Sequence, residues 1–111
     1  MTDELLANIR LFLKSAELVY KNKDYTSATI LYFKSAFCII DWILLKNSGK
    51  APKDHTERFR MLEKEHTGLY TFLDKEFRIY RDTYTTTIDK ETCERIIKDV
   101  KRIIEEYKVP V

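Results

Sequence analysis

Apolar residues in this chain recur at three- and four-residue steps, and five helical segments follow from that period. Leu5, Ile9, Phe12, Leu13, Ala16 and Tyr20 line one face of a first helix, from about Thr2 to Tyr20, whose start Thr2 or Asp3 can cap. Lys21-Asn22-Lys23 is a polar break, and Asp24 reads as the N-cap of a second helix from about Tyr25 to Lys46. There Tyr25, Ala28, Tyr32, Ala36, Ile39, Ile40 and Ile43 make one stripe. Ile30, Phe33, Phe37, Leu44 and Leu45 widen it almost all the way round. The polar remainder is narrow: Ser27, Lys34 and Asp41, spaced seven apart. A helix apolar on most sides is central to a bundle or buried against a second subunit. Trp42, at the edge of the polar strip, suits an interface as well as a core.

Asn47 to Pro52 is the one clear loop, with Gly49 suited to a helix C-cap and Pro52 opposed to continuation. Asp54 and Glu57 form a capping box for a short third helix to about Glu65, with Phe59 and Leu62 facing inward. His66-Thr67-Gly68 breaks it. A fourth helix carries Leu69, Leu73, Phe77, Tyr80 and Tyr84 on one face and ends at the β-branched run Thr85-Thr86-Thr87. Thr87 or Asp89 caps a fifth, with the stripe Cys93, Ile96, Ile97, Val100, Ile103, Ile104 and Tyr107. Val109-Pro110-Val111 reads as a frayed tail. No strand pattern competes with these segments. The pattern predicts an all-α, up-and-down bundle of four to five helices, one domain over residues 1–111, with mostly antiparallel neighbours because the connections are short.

Composition agrees. A chain of 111 residues buries roughly 65% of the surface its unfolded form exposes, enough for its own core. Two glycines and two prolines leave few breaks between long helices. A net charge of +2 is no strong polyanion signal. Lys50, Lys53, Arg58, Arg60 and Lys64 cluster, but Asp54, Glu57 and Glu63 interleave with them, so this segment reads as a solvated helix laced with ion pairs. Cys38 and Cys93 fall on apolar stripes and read as buried free thiols, in keeping with a reducing cytoplasm. The acidic start leads straight into an amphipathic helix and is no signal peptide. No apolar run approaches the ~20 residues that span a bilayer. The expected location is therefore cytoplasmic, with no membrane partner.

Enzyme signatures are scarce. The chain has no Gly-rich phosphate loop, no GxSxG, no HExxH and no paired-cysteine motif, so no cofactor or metal site is expected. Chemistry concentrates in Phe77-Arg78-Ile79-Tyr80-Arg81-Asp82-Thr83-Tyr84, before the last helix. In a structural reading, Tyr80 and Tyr84 are core residues with hydroxyls at the surface, and Arg81 pairs with Asp82 or with a carboxylate of the last helix. In a functional reading, Arg81 is a forked donor for phosphate or carboxylate, with Tyr84 bonding or stacking beside it. Arg78, Arg81, Asp82 and Tyr84 are thus the candidate binding residues. The candidates for catalysis are Arg81, Asp82 and His55. His55, in the first turn after Asp54, reads as a surface residue beside a cap, and a catalytic role requires it to approach Arg81 in space.

The order of these pieces resembles a HEPN domain, a helical module of nucleotide-associated proteins. Asp24-Tyr25-Thr26-Ser27-Ala28 with Tyr32 and Ala36 is similar to that family's second helix. Pro52 to Glu63 is similar to its middle segment, and Tyr80-Arg81-Asp82-Thr83-Tyr84 to its arginine motif. The resemblance implies a helical bundle that forms a homodimer and binds RNA or a nucleotide, or a nucleotidyltransferase-type protein as in toxin–antitoxin pairs. Active members are metal-independent ribonucleases whose motif arginine is followed by a polar residue and, a short step on, a histidine. Arg81 matches the arginine and Asp82 the polar residue, but the histidine's positions hold Thr86, Thr87 and Ile88. A threonine does not shuttle protons near neutral pH. The resemblance therefore implies a binding module without catalysis. The alternative is a ribonuclease using Arg81, with His55 or Tyr84 as substitute acid or base. Asp24-Tyr25-x-x-Ala28-x-x-x-Tyr32-x-x-x-Ala36 is also similar to one helix of a tetratricopeptide repeat, which implies a peptide groove between the first two helices. No second copy follows about 34 residues on.

Overall fold

The computed structural model describes residues 2–111, the side chain of Thr2 excepted. Five helices make up the fold: α1 (Thr2–Lys21), α2 (Tyr25–Ser48), α3 (His55–Glu65), α4 (Thr67–Asp82) and α5 (Lys90–Glu106). No strand occurs among the described residues. The expected cap of α1 by Thr2 lies outside the described side chains, and Asp3 is already inside the helix.

α2 is the hub and packs against each of the other four helices, while α3 and α4 also pack on each other. Phe33, Ile39, Ile40 and Leu44 of α2 are fully buried, facing Ile9 of α1, Leu62 of α3, Leu73 of α4 and Ile96 and Val100 of α5. Each such side chain contributes about 1.5–3 kcal/mol by leaving water. Trp42 is buried as well, its ring capped by the Lys46 ammonium 4.9 Å from the centroid. By length and composition α2 could cross a membrane, against the expectation that no apolar run comes near that size. Here 67% of its most apolar window is buried, so its apolar faces serve the core of the bundle.

Caps set the element ends. Asp24 accepts from the Ser27 amide, Asp54 from the Glu57 amide and Asp89 from the Thr92 amide, which settles the start of α5 on Asp89 rather than Thr87. Gly49 takes a left-handed conformation at φ 72° and its amide bonds the Leu45 carbonyl, closing α2. α4 stops at Asp82, three residues before the threonine run. The Thr83 hydroxyl bonds the Tyr80 carbonyl and competes with the next helical turn. Beyond it Ile88 is buried and anchored by its amide to the Thr26 hydroxyl at 2.8 Å.

The C-terminal tail is docked, not frayed. Val109 is buried, its amide bonds the Ile104 carbonyl, and Arg10 donates to the Pro110 carbonyl at 2.7 Å. α1 and α2 close on each other through Ile9, Ala16 and Ala28, all 0% exposed. A groove of about 1060 Å³ runs between α1 and α5.

Candidate functional site

The polar strip of α2 faces α3. Lys34, Phe37, Cys38 and Asp41 share that side by their three- and four-residue steps, and Asp41 is the only acid in the helix. Asp54 starts α3 so that His55, Arg58 and Leu62 fall on one side of it. Arg58 turns inward and grips Asp41 with both arms of its fork. Nε lies 2.7 Å from Oδ1 and Nη2 lies 2.9 Å from Oδ2. Only 9% of the Arg58 side chain and 16% of Asp41 remain exposed, and the guanidinium carbon sits 5.2 Å from the Phe37 ring centre. The expectation of a solvated basic helix therefore fails at Arg58. A carboxylate on the hub helix needs a cation, and Arg58 occupies the inward position that meets it.

His55 is held by the same arginine. It is an exposed residue, and its ring makes edge contacts with Phe37 at 5.0 Å, Phe77 at 5.1 Å and Tyr80 at 6.5 Å between centres. Nδ1 lies 2.5 Å from Nη1 of Arg58. A guanidinium only donates, so Nδ1 accepts and the ring proton sits on Nε2. Burial of the ring against its aromatic neighbours, and then the Arg58 charge, push its pKa below the usual imidazole value. The pull of Asp41 and Asp54 in the other direction is weaker. His55 is thus a neutral ring whose free edge offers an N–H. Nε2 has no lone pair with which to accept a proton, and protonation of Nδ1 would break the bond to Arg58.

The residues singled out in the sequence lie around this assembly. Tyr80 is buried and completes the aromatic floor, 5.0 Å from Phe37 and 5.8 Å from Phe77. Tyr84 lies in the turn beyond α4 and is 76% exposed, so it is no core residue. Its ring stands edge-on to Tyr80 at 6.1 Å, and the neighbouring Tyr80 phenol raises its pKa. Arg78, Arg81 and Asp82 are exposed. Among the described residues none of the three makes a side-chain hydrogen bond or ion pair, so the expected pairing of Arg81 with Asp82 or with the last helix is not made. The ion pair that joins α4 to α5 is Glu76 with Arg95, 2.8 Å apart, with Glu76 buried. Arg81 follows Phe77 by one helical turn and so leaves α4 on the Phe77 side. His55 feels the charges of Arg58, Asp41, Asp54 and Lys34.

Lys34, on the same strip of α2, is exposed. Its positive charge acts on His55, on Tyr84 and on the half-buried Cys38. The result is an aromatic patch, or dish, in which the His55 and Tyr84 rings stand against the cluster of Phe37, Phe77 and Tyr80. It offers a hydrogen-bond donor in the His55 N–H and an aromatic face in Tyr84. Lys34, Phe37, Asp41 and Arg58 escaped the sequence-based site. The signal was the seven-residue strip of Lys34 and Asp41 on an otherwise apolar helix, together with an arginine on the inward side of α3.

Among the described residues no His, Cys, Asp and Glu cluster could hold a metal ion, and both cysteines are free. Burial raises the pKa of Cys38 and of Cys93, which keeps both as thiols. Comparison of the chain with protein-family models, with curated proteins and with solved structures returned no match.

Proposed function

We propose that this chain is a dimeric, HEPN-like binding module that holds single-stranded RNA or a nucleotide at the dish between α2, α3 and α4, without cleaving it. The observation that carries the reading is Tyr84: a phenol ring 76% exposed and braced edge-on by Tyr80, on a chain whose Lys34 and Arg81 make no ion pair among the described residues. An exposed aromatic face together with unpaired cations is what an unstacked base and its phosphates require. Lys34 and Arg81 meet the phosphates, and the His55 N–H donates to a phosphate or base oxygen. Because that ring is locked as a donor and its pKa is lowered, it does not deprotonate a ribose hydroxyl. The ordered resemblance of the sequence to HEPN domains supports the same reading, and with it a homodimer.

The test is a fluorescence-anisotropy titration of a short labelled oligoribonucleotide. Removal of one stacking ring costs ~1–3 kcal/mol, so Tyr84→Ala should weaken binding by about 5- to 150-fold. Arg81→Ala and Lys34→Ala should each lower the salt slope of log K by about 0.7. The RNA should be recovered intact. Absence of binding by the wild-type chain, or binding indifferent to all three substitutions, would refute the reading. Metal-free cleavage that Arg81→Ala abolishes would establish the ribonuclease alternative in its place.

A further inference from the structure

α1 packs its backbone on α2, and Tyr20 near its end donates to Glu94 of α5, while its outer side is left open. Two large apolar side chains stand on that side: Leu11, 62% exposed, and Leu18, 58% exposed. They are seven residues apart, so they project from the same line along the helix, opposite the line of Ile9 and Ala16 that seats α1 on α2. Ala7 and Ser15, both exposed, flank them and are small enough to let another helix approach closely.

Charge is sorted along the same side. At about 100° per residue, the charged residues within a quarter-turn of the Leu11–Leu18 line are Asp3 and Glu4 in the first half and Lys14 and Lys21 in the second. Arg10 lies at the edge of that quarter-turn and Glu17 further round, and Glu17 and Lys21 both line the α1–α5 groove. The outer face of α1 is therefore acidic at one end, basic at the other and apolar in the middle. A surface of that kind complements itself when inverted. Lys21 forms an exposed i,i+4 pair with Glu17 at 3.3 Å, which is too weak to hold it from another partner.

We infer that a second copy of this chain covers the outer face of α1, with the two α1 helices antiparallel about a twofold axis at Leu11. The inference rests on the dimer part of the proposed function and adds the surface and the orientation. In this arrangement Leu11 meets Leu11 of the second copy, and Ala7 lies against Ser15. Glu4 comes onto Leu18 within one turn of Lys21. A parallel pair would bring Asp3 and Glu4 onto their own copies, acid against acid, and Lys14 and Lys21 likewise, so charge selects the antiparallel form. The contact lies on a different face from the dish.

The experiment compares wild type, Leu11→Glu/Leu18→Glu, Leu11→Cys and Leu18→Cys, the last two with Cys38→Ser. Mass is read by sedimentation, helicity by circular dichroism and RNA binding by anisotropy. Wild type should sediment as a dimer and Leu11→Glu/Leu18→Glu as a monomer with unchanged helicity, since both side chains are exposed in the folded chain. Mild oxidation should link Leu11→Cys into covalent dimers and leave Leu18→Cys largely unlinked. Wild-type dimers that persist in the double variant would overturn the α1 seam and leave the dimer standing. Equal linking at both cysteine positions would overturn the antiparallel orientation. A monomeric wild type at the highest soluble concentration would overturn the seam and the dimer together, while the anisotropy titration still judges RNA binding by itself.

Discussion

At the residue scale the site depends on one ion pair. Arg58 and Asp41 are both largely withdrawn from water, so each needs the other, and Arg58 also fixes the proton of His55. Asp41→Asn removes the charge and keeps the shape, leaving a buried guanidinium without its counter-ion. It should cost about 3–5 kcal/mol of stability, whereas Asp41→Leu/Arg58→Met should lie close to the wild type. Urea unfolding of the three proteins checks the ordering. A double variant as unstable as Asp41→Asn would show that the fork contributes packing rather than charge compensation. The same pair marks how far the site could be read in the sequence. Arg81 and Tyr84 are conspicuous because charge and aromatic character crowd together there. Asp41 and Arg58 are separated by 17 positions, and only the packing of α3 on α2 reveals that they meet. Local charge patterning placed Arg58 in a solvated helix, since its acidic neighbours in sequence looked like sufficient partners.

At the element scale the sequence was the better guide. Helix starts at Asp24 and Asp54 were legible because a short acid before an apolar run accepts from the helix's orphan amides. Two ends were misjudged. α4 was expected to run to the threonines and ends at Asp82, because side-chain competition begins with Thr83. The tail was expected to fray, yet Val109 finds a buried place and Pro110 an arginine, contacts 100 residues distant that no local pattern contains. The cap at Asp24 makes a pH-dependent prediction. Its side-chain bond to Ser27 lowers the Asp24 pKa below the usual aspartate value. A lowered folded pKa means stability that is present above the unfolded value of about 3.9 and is lost as pH falls through the folded one. Asp24→Ala should therefore destabilise the fold by about 1 kcal/mol at neutral pH and by less as pH drops below about 4. Thermal unfolding at neutral and acid pH measures this, and an equal loss at both would assign the effect to α2 packing rather than to the cap.

At the scale of the whole molecule, four helices gather on an apolar hub, and the hub spends its single polar strip on the site. The same α2 residues that look membrane-compatible by composition are consumed by the core. The net charge of +2 is spread over the chain, but Lys34, Arg78 and Arg81 are left without acidic partners among the described residues. The proposed binding site centres on a neutral imidazole, clamped by a guanidinium and presenting its N–H, beside the exposed Tyr84 ring. The direct measurement is the ring nitrogen spectrum of His55, followed by NMR against pH and then against a short oligoribonucleotide. The account predicts the Nε2–H tautomer at neutral pH, a protonation midpoint below the free-imidazole value of about 6.5, and movement of the His55 and Tyr84 signals when RNA is added. A midpoint above that value, or signals that RNA leaves in place, would contradict it.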